Sequence, residues 1–280
     1  MSTTVLTNQL ESKSYADTAL KAAAGFWFLV AVIGQWAFLY YIVAFYGRTT
    51  FAGNFQAWTK NTFLQKGYIA GDKVGNLVFA SHALLAAVIA FGGAIQLIPQ
   101  IRTRAIRVHR WNGRLFAVTA LGLSVSGLYT IWMHGKPPSA FDVHALAISL
   151  NAVLIITFIA LAWRSALKRE VSTHRRWALR AYLVANAQWF MRVGYIAWAI
   201  VGGKLLGIGD GFDGQFFLIW GFGCYLVPLA VLELYLRAKQ SSSPSGRFAM
   251  AGSLVVLTLL MGVGIFGFYM FTRPLLEAVK

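Results

Sequence analysis

Apolar runs of membrane length recur along this chain, and they leave few architectures open. Seven stretches, roughly 23–46, 76–99, 112–133, 143–163, 177–201, 215–236 and 249–271, each come close to the ~20 residues that a helix needs to cross a bilayer. Lipid offers no partner to backbone N–H and C=O groups, so only helices or closed barrels span it. Strand-period alternation is absent, which argues against a barrel. Only 12% of residues are charged and 58% are hydrophobic, against about 25% charged in a soluble domain. The expectation is an all-α integral membrane protein of about seven transmembrane helices, with a central four-helix bundle. Its organisation reads as a tail over 1–22, a first helix and outer loop over 23–75, a histidine-bearing core over 76–201, and two flanking helices with a tail over 202–280.

The net charge of +16 would suggest nucleic acid in a soluble chain. Here the cations sit in short turns between apolar runs, which is how membrane orientation is encoded. Membrane lipids, and no nucleic acid, are the expected surroundings. Sixteen lysines and arginines fall on the side of the N-terminal tail and eight on the other. That bias predicts a cytoplasmic N-terminus and an outer C-terminus. Cys224 is the one cysteine and lies inside an apolar run, so no disulfide framework or Cys-x-x-Cys-His haem attachment can form. The first run begins near Ala22 behind a mixed-charge segment (Glu11, Lys13, Asp17, Lys21), a pattern that predicts no cleaved signal peptide.

The connections predict less. Ser241 to Gly246 reads as a flexible linker, and Lys136-Pro137-Pro138 as a rigid outer turn. Gly207 to Gly214 faintly resembles a phosphate or calcium loop but lacks a preceding strand and a full ligand set, so it reads as a turn. The outer segment 47–75 is long enough to include an interfacial helix.

Four of the five histidines fall into a repeated order: His82-Ala-Leu, His109-Arg110-Trp111, His144-Ala-Leu, His174-Arg175-Arg176-Trp177. The gaps are 27 residues from His82 to His109 and 30 from His144 to His174, each holding one crossing and a basic turn. His82 and His144 then open the second and fourth helices on the outer side, while His109 and His174 open the third and fifth on the inner side. A haem fits between helices of a four-helix bundle when two of them offer imidazoles from opposite sides. Two haem b groups are therefore expected, ligated by His82 with His144 and by His109 with His174. With both axial positions filled, each would carry electrons rather than bind oxygen.

Positions eighteen apart on a helix share a face about 27 Å along its axis. Gly127, with Ser124 and Ser126 nearby, stands in that relation to His109, and Arg192 stands so to His174. Gly93 falls on nearly the face of His82. Small residues there would make room for a planar cofactor, and Arg192 would meet an outer haem propionate. Arg110, Arg114, Arg175, Arg176 and Arg180 surround the inner pair, where they would neutralise propionates or receive an anionic donor. Asn151, on the face of His144, is expected to hydrogen-bond within the bundle. His134, without a matching partner, reads as a surface or substrate-side residue.

Each part has a plainer reading. An interfacial histidine is usually a satisfied polar residue, a basic turn a topology signal, an arginine near a helix end a snorkelling side chain, and a membrane glycine a packing contact. The coincidence of two matched pairs on the correct sides weighs against it.

The block from about 78 to 200, with Gln96…Pro99-x-x-Arg102, His109-Arg110-Trp111-x-Gly113-Arg114 and His174-x-x-Trp177-x-x-Arg180, resembles a bacterial family known only as a predicted membrane domain of unknown function. The order of four histidines also resembles that of the ascorbate-type transmembrane di-haem cytochromes b. That resemblance covers under half of the chain and implies the same two ligand pairs. No ascorbate-site signature accompanies it beyond the basic inner turns.

The leading expectation is a b-type cytochrome of the bacterial cytoplasmic membrane, possessing oxidoreductase character if it acts as an enzyme. Its donor, a quinol, an ascorbate-like reductant or a flavoprotein, would dock at the inner arginines. The acceptor would lie near Arg192, His134 and Lys136. The competing expectation is a small-solute transporter or structural subunit whose histidines relay protons or sit at the interface. A third is a di-metal or haem-handling membrane enzyme using the same imidazoles.

Overall fold

A computed structural model describes residues 3–61, 67–134, 139, 142–202, 207 and 214–279, with side chains from residue 14 onward. Among these residues every regular element is a helix. The long elements are α1 (Thr3–Tyr41), α3 (Lys73–Leu97), α5 (Ile106–Trp132), α6 (Val143–Leu167), α7 (Val171–Ala185), α8 (Ala187–Gly202), α9 (Gln215–Gln240) and α10 (Pro244–Glu277). Short α2 (Arg48–Phe51) and α4 (Pro99–Arg104) lie at opposite ends of α3. Among the described residues, six helices are long and apolar enough to cross a membrane. The chain is thus an all-α integral membrane protein.

The expected fifth crossing, 177–201, is where the architecture departs from the sequence reading. It is divided between α7 and α8, of 15 and 16 residues, which meet at Asn186. Short polar side chains compete with the backbone for hydrogen bonds, and Asn186 does so here. Its Nδ2 donates to the Tyr182 carbonyl at 2.8 Å, while its backbone N–H is shared between Tyr182 O and Leu183 O, both at 3.2 Å. Neither half alone spans a hydrocarbon core of ~30 Å at ~1.5 Å per residue.

Packing follows chain order through the core: α3 lies on α5, α5 on α6, and α6 on α7. Helix α1 runs beside α10, and α10 beside α8. Gly264 lets α10 approach α8 closely, since a Cβ there would stand 2.1 Å from the Val193 carbonyl oxygen. Buried Arg247 at the start of α10 binds Asp17 on α1, and its Nε donates to Ala238 O at the end of α9. This gathers the middle of the first half of α1, the start of α10 and the end of α9 at one end of the molecule. It is the end that carries the basic turns.

The expected linker 241–246 is only partly a linker. Ser243 caps α10 by accepting from Gly246 N, Pro244 follows in the first turn, and the helix therefore starts earlier than hydropathy suggests. In the segment after α1, a π-helical turn (Ile42–Gly47) leads into α2 and a 3₁₀ helix (Phe55–Lys60). These fold over the opposite end of the bundle. Trp58 is fully buried there and donates to Thr49 Oγ1 at 2.8 Å, and Asn61 Nδ2 reaches Tyr41 and Tyr46 hydroxyls at 2.7 and 2.6 Å. The Lys136-Pro137-Pro138 turn and positions 208–213 of the glycine-rich loop lie outside the described residues.

A candidate functional site around a two-histidine cavity

At the end of the bundle away from the basic turns, α3, α5, α6 and α8 line a partly open cavity of about 290 Å³, with Phe38 of α1, the π-helical turn after it and Phe217 of α9 at its border. Small-molecule sites begin at roughly 300 Å³. Most of its wall is apolar: Phe38, Ile42, Phe79, Ala83, Ala86, Ile89, Leu123, Ile148 and Ile155. Among these stand polar groups from four helices, namely His82, Ser124, Thr130, His144, Asn151, Asn186, Gln188 and Arg192.

His82 and His144 therefore converge on one space, although α3 and α6 are separated in the packing order by α5. His82 Nδ1 lies 2.9 Å from Ser126 Oγ. With the Ser126 hydroxyl turned toward Leu123 O, 3.3 Å away, its oxygen can accept from His82 Nδ1–H. In that tautomer the lone pair is on Nε2, one of the two nitrogens through which an imidazole ligates a metal. His144 packs against Phe217 with ring centroids 5.0 Å apart, and its Nδ1 is buried without a hydrogen-bond partner.

Gly127 lines the same cavity, yet its closest service is to His82: a Cβ there would be 3.3 Å from His82 Cε1. Gly93 corrects the expectation of room for a cofactor. A Cβ at Gly93 would meet Tyr182 Cε2 at 2.9 Å and Phe116 Cε2 at 3.2 Å, so this glycine seats two aromatic rings. Asn151 also departs from its expected role, since its Oδ1 is buried without a partner. Arg192 lies on the cavity wall with Nη1 donating to Gln188 O at 2.6 Å and its guanidinium 5.5 Å from the Phe38 ring centroid.

His109 and His174 stand at the basic end, within electrostatic range of each other. Neither lines the cavity. His174 Nδ1 is 2.9 Å from Ala162 O, an acceptor, so it carries the proton and leaves Nε2 as a lone pair. His109 Nδ1 is buried without a partner, while its backbone carbonyl accepts from Gln96 Nε2 at 2.9 Å. Arg110, Arg114, Arg175 and Arg176 are exposed around the pair. Arg114 stacks over Trp111 at 4.9 Å. On nearby α4, partial burial and the Arg175 charge hold the Arg102 guanidinium below its usual pKa.

Arg180 already has an acidic partner within the bundle. It pairs with Glu233 of α9, Nη2 to Oε1 at 2.7 Å, and lies over Trp177 at 4.6 Å. A bilayer makes an isolated charge expensive, and a carboxylate on the neighbouring helix relieves it. Glu233, a lone acid in an apolar run, is the signal that sequence reading passed over.

His134 is likewise not a surface residue. It is fully buried, lies along Phe79 with centroids 6.4 Å apart, and its Nδ1 is 2.7 Å from Asp72 Oδ2. Asp72 also caps α3 by accepting from Gly75 N at 2.8 Å. The Gly75 N–H first, and then His134, hold the Asp72 carboxyl below the usual carboxylate range. The pair ties the end of α5 to the start of α3. Gly75 permits it, because a Cβ there would fall 2.0 Å from His134 Nδ1.

Among the described residues, no three His, Cys, Asp or Glu side chains gather as a metal-binding cluster. The chemistry available to the cavity is therefore that of two imidazoles, a guanidinium and amides inside an apolar shell. No curated protein and no solved structure matches the chain. The family model described as Predicted membrane protein (DUF2306) matches residues 79–236, the stretch that carries all five histidines and every helix around the cavity except α1, and the chain belongs to that family.

Proposed function

We propose that this protein is a b-type haem carrier that passes electrons across a bacterial cytoplasmic membrane, from a donor at the basic end to an acceptor at the cavity end. The observation that carries this reading is the pair His82 and His144, brought from two non-adjacent helices to one apolar cavity. Ser126 Oγ, 2.9 Å from His82 Nδ1, would accept the Nδ1–H and leave Nε2 for iron. An apolar cavity with two convergent imidazoles suits a haem, whose contribution would be one-electron chemistry. His82 and His144 would hold it, the aliphatic wall would exclude water, and Ser126 would fix the ring of His82.

For a second haem, between His109 and His174, the support is the Nδ1–H form of His174 and the electrostatic reach of one imidazole to the other. Phe116 and Tyr182, packed over Gly93, occupy the layer between that pair and the cavity. The N-terminus, with the basic turns, would face the cytoplasm. A quinol, an ascorbate-like reductant or a flavoprotein are the donor classes that the exposed arginines suit.

The test is optical. Protein purified from haem-replete cells should be red, show reducible b-type bands and contain two haems per chain. His82→Ala and His144→Ala should remove one spectral component, and His109→Ala and His174→Ala the other. A folded but colourless preparation overturns the reading, and one haem insensitive to the second pair of substitutions overturns the inner site.

One observation favours a second reading, transport of a small anion. The α7–α8 break lines the cavity beside Arg192, and interrupted helices commonly form transporter sites. Uptake of a labelled anion into vesicles by colourless protein would support it.

A further inference from the structure

Among the described residues, Arg192 is the charge in the cavity that no acidic side chain neutralises. A guanidinium offers five N–H donors, and Arg192 uses Nη1 on the Gln188 carbonyl and rests on the Phe38 ring. Among the described residues it has no carboxylate partner. The titratable groups in electrostatic reach of it are Tyr46, Tyr41, Cys224 and His82, and none of them supplies a carboxylate. Arg180 and Arg247, elsewhere in the bundle, are each met by an acid, Glu233 and Asp17. The contrast is informative, because a cation within a bilayer is costly unless paired.

The wall facing α8 adds a second constraint. His144 and Asn151 on α6 line the same cavity, and His144 Nδ1 and Asn151 Oδ1 are both buried without partners. Between the two walls the lining is aliphatic and aromatic. The complementary ligand is thus an amphiphile with an apolar body and an acidic group directed at α8. A guanidinium recognises a carboxylate through paired N–H donors, with strength and direction that a neutral ester cannot reproduce.

We infer that Arg192 is an anion clamp that admits to the cavity a flat apolar ligand bearing a carboxylate, and seats it in one orientation with the acid edge on α8. This rests on the reading that the cavity takes a tetrapyrrole, and it adds the acid as the selected feature. Arg192 acts through charge and hydrogen bonds and needs no iron.

The experiment uses the full chain, produced in haem-starved cells and held in nanodiscs of phosphatidylcholine alone. Iron-free protoporphyrin IX and its dimethyl ester are titrated against it, with porphyrin fluorescence as the readout. The clamp predicts that the free acid binds at least tenfold more tightly than the ester. Arg192→Gln should abolish that preference, and Arg192→Lys should restore part of it. Thermal unfolding of each variant in the same nanodiscs identifies any that fail to fold, in which case Arg192→Lys alone decides. Equal binding of acid and ester to the wild-type chain overturns the clamp and leaves the tetrapyrrole cavity standing. If neither porphyrin binds, both fall. If phosphatidylglycerol displaces the acid from the wild-type chain but not from Arg192→Gln, the anion comes from lipid and the carboxylate assignment is overturned.

Discussion

Ser126→Ala isolates the part of the site that holds His82 in its ligating form. Ser126 Oγ lies 2.9 Å from His82 Nδ1 and 3.3 Å from Leu123 O, and in the Nε2-ligating form of His82 it accepts the Nδ1–H. Its removal leaves the Nδ1–H unpaired beside an apolar cavity, a loss of about 1–3 kcal/mol. It also lets the ring turn or change tautomer. Loss of such a supporting hydrogen bond lowers metal affinity by about 10- to 100-fold, in line with ~1.4 kcal/mol per factor of ten. The assay is titration of haemin into haem-depleted protein, followed at the Soret band, with the fraction of haem retained after competition by apomyoglobin. Ser124→Ala is the matched control, since Ser124 lines the same cavity but donates to Ala120 O of its own helix at 2.9 Å. Equal retention by the two variants, with unchanged unfolding temperatures, would refute the account of how His82 is held.

Gly264→Ala places a methyl against the backbone carbonyl of Val193, which cannot turn aside as a side chain can. Separation of α10 from α8 should cost about 1–3 kcal/mol, visible as a lower unfolding temperature in detergent. Glu233→Gln strands the Arg180 guanidinium in the bundle; because the carboxylate is itself over one-third exposed, the expected loss is about 1–3 kcal/mol. A melting curve unchanged by that substitution would show the pair to be dispensable. For Asp72, the native carboxyl titrates lower than in the unfolded chain. Its contribution is fully present above the unfolded value of ~4 and is lost as pH falls through the lowered native value. Unfolding of the wild type in acid should therefore be steeper than that of Asp72→Asn, and parallel curves would contradict the assignment.

Much of the fold is written locally in the chain. Apolar run lengths determine that helices span a membrane, because an unpaired backbone cannot exist in lipid. The clustering of cations in alternate turns marks one end of the bundle, and the order of the apolar runs assigns His82 and His144 to one end and His109 and His174 to the other. Composition and periodicity are properties of neighbouring residues, so these conclusions need no knowledge of contacts.

Contacts between helices decided the rest. The turn of each helix about its axis comes from packing, as where Gly264 brings α10 onto Val193 and Gly93 receives Tyr182. Hydropathy sees none of this, since lipid-facing and helix-facing side chains are equally apolar. Only the folded chain commits Arg180 to Glu233, buries His134 on Asp72, divides the expected fifth crossing at Asn186, and leaves Arg192 without a counter-ion at the wall of the cavity. Each of these joins or separates residues by hydrogen bonds and charges across the bundle, and such partners are distant in sequence.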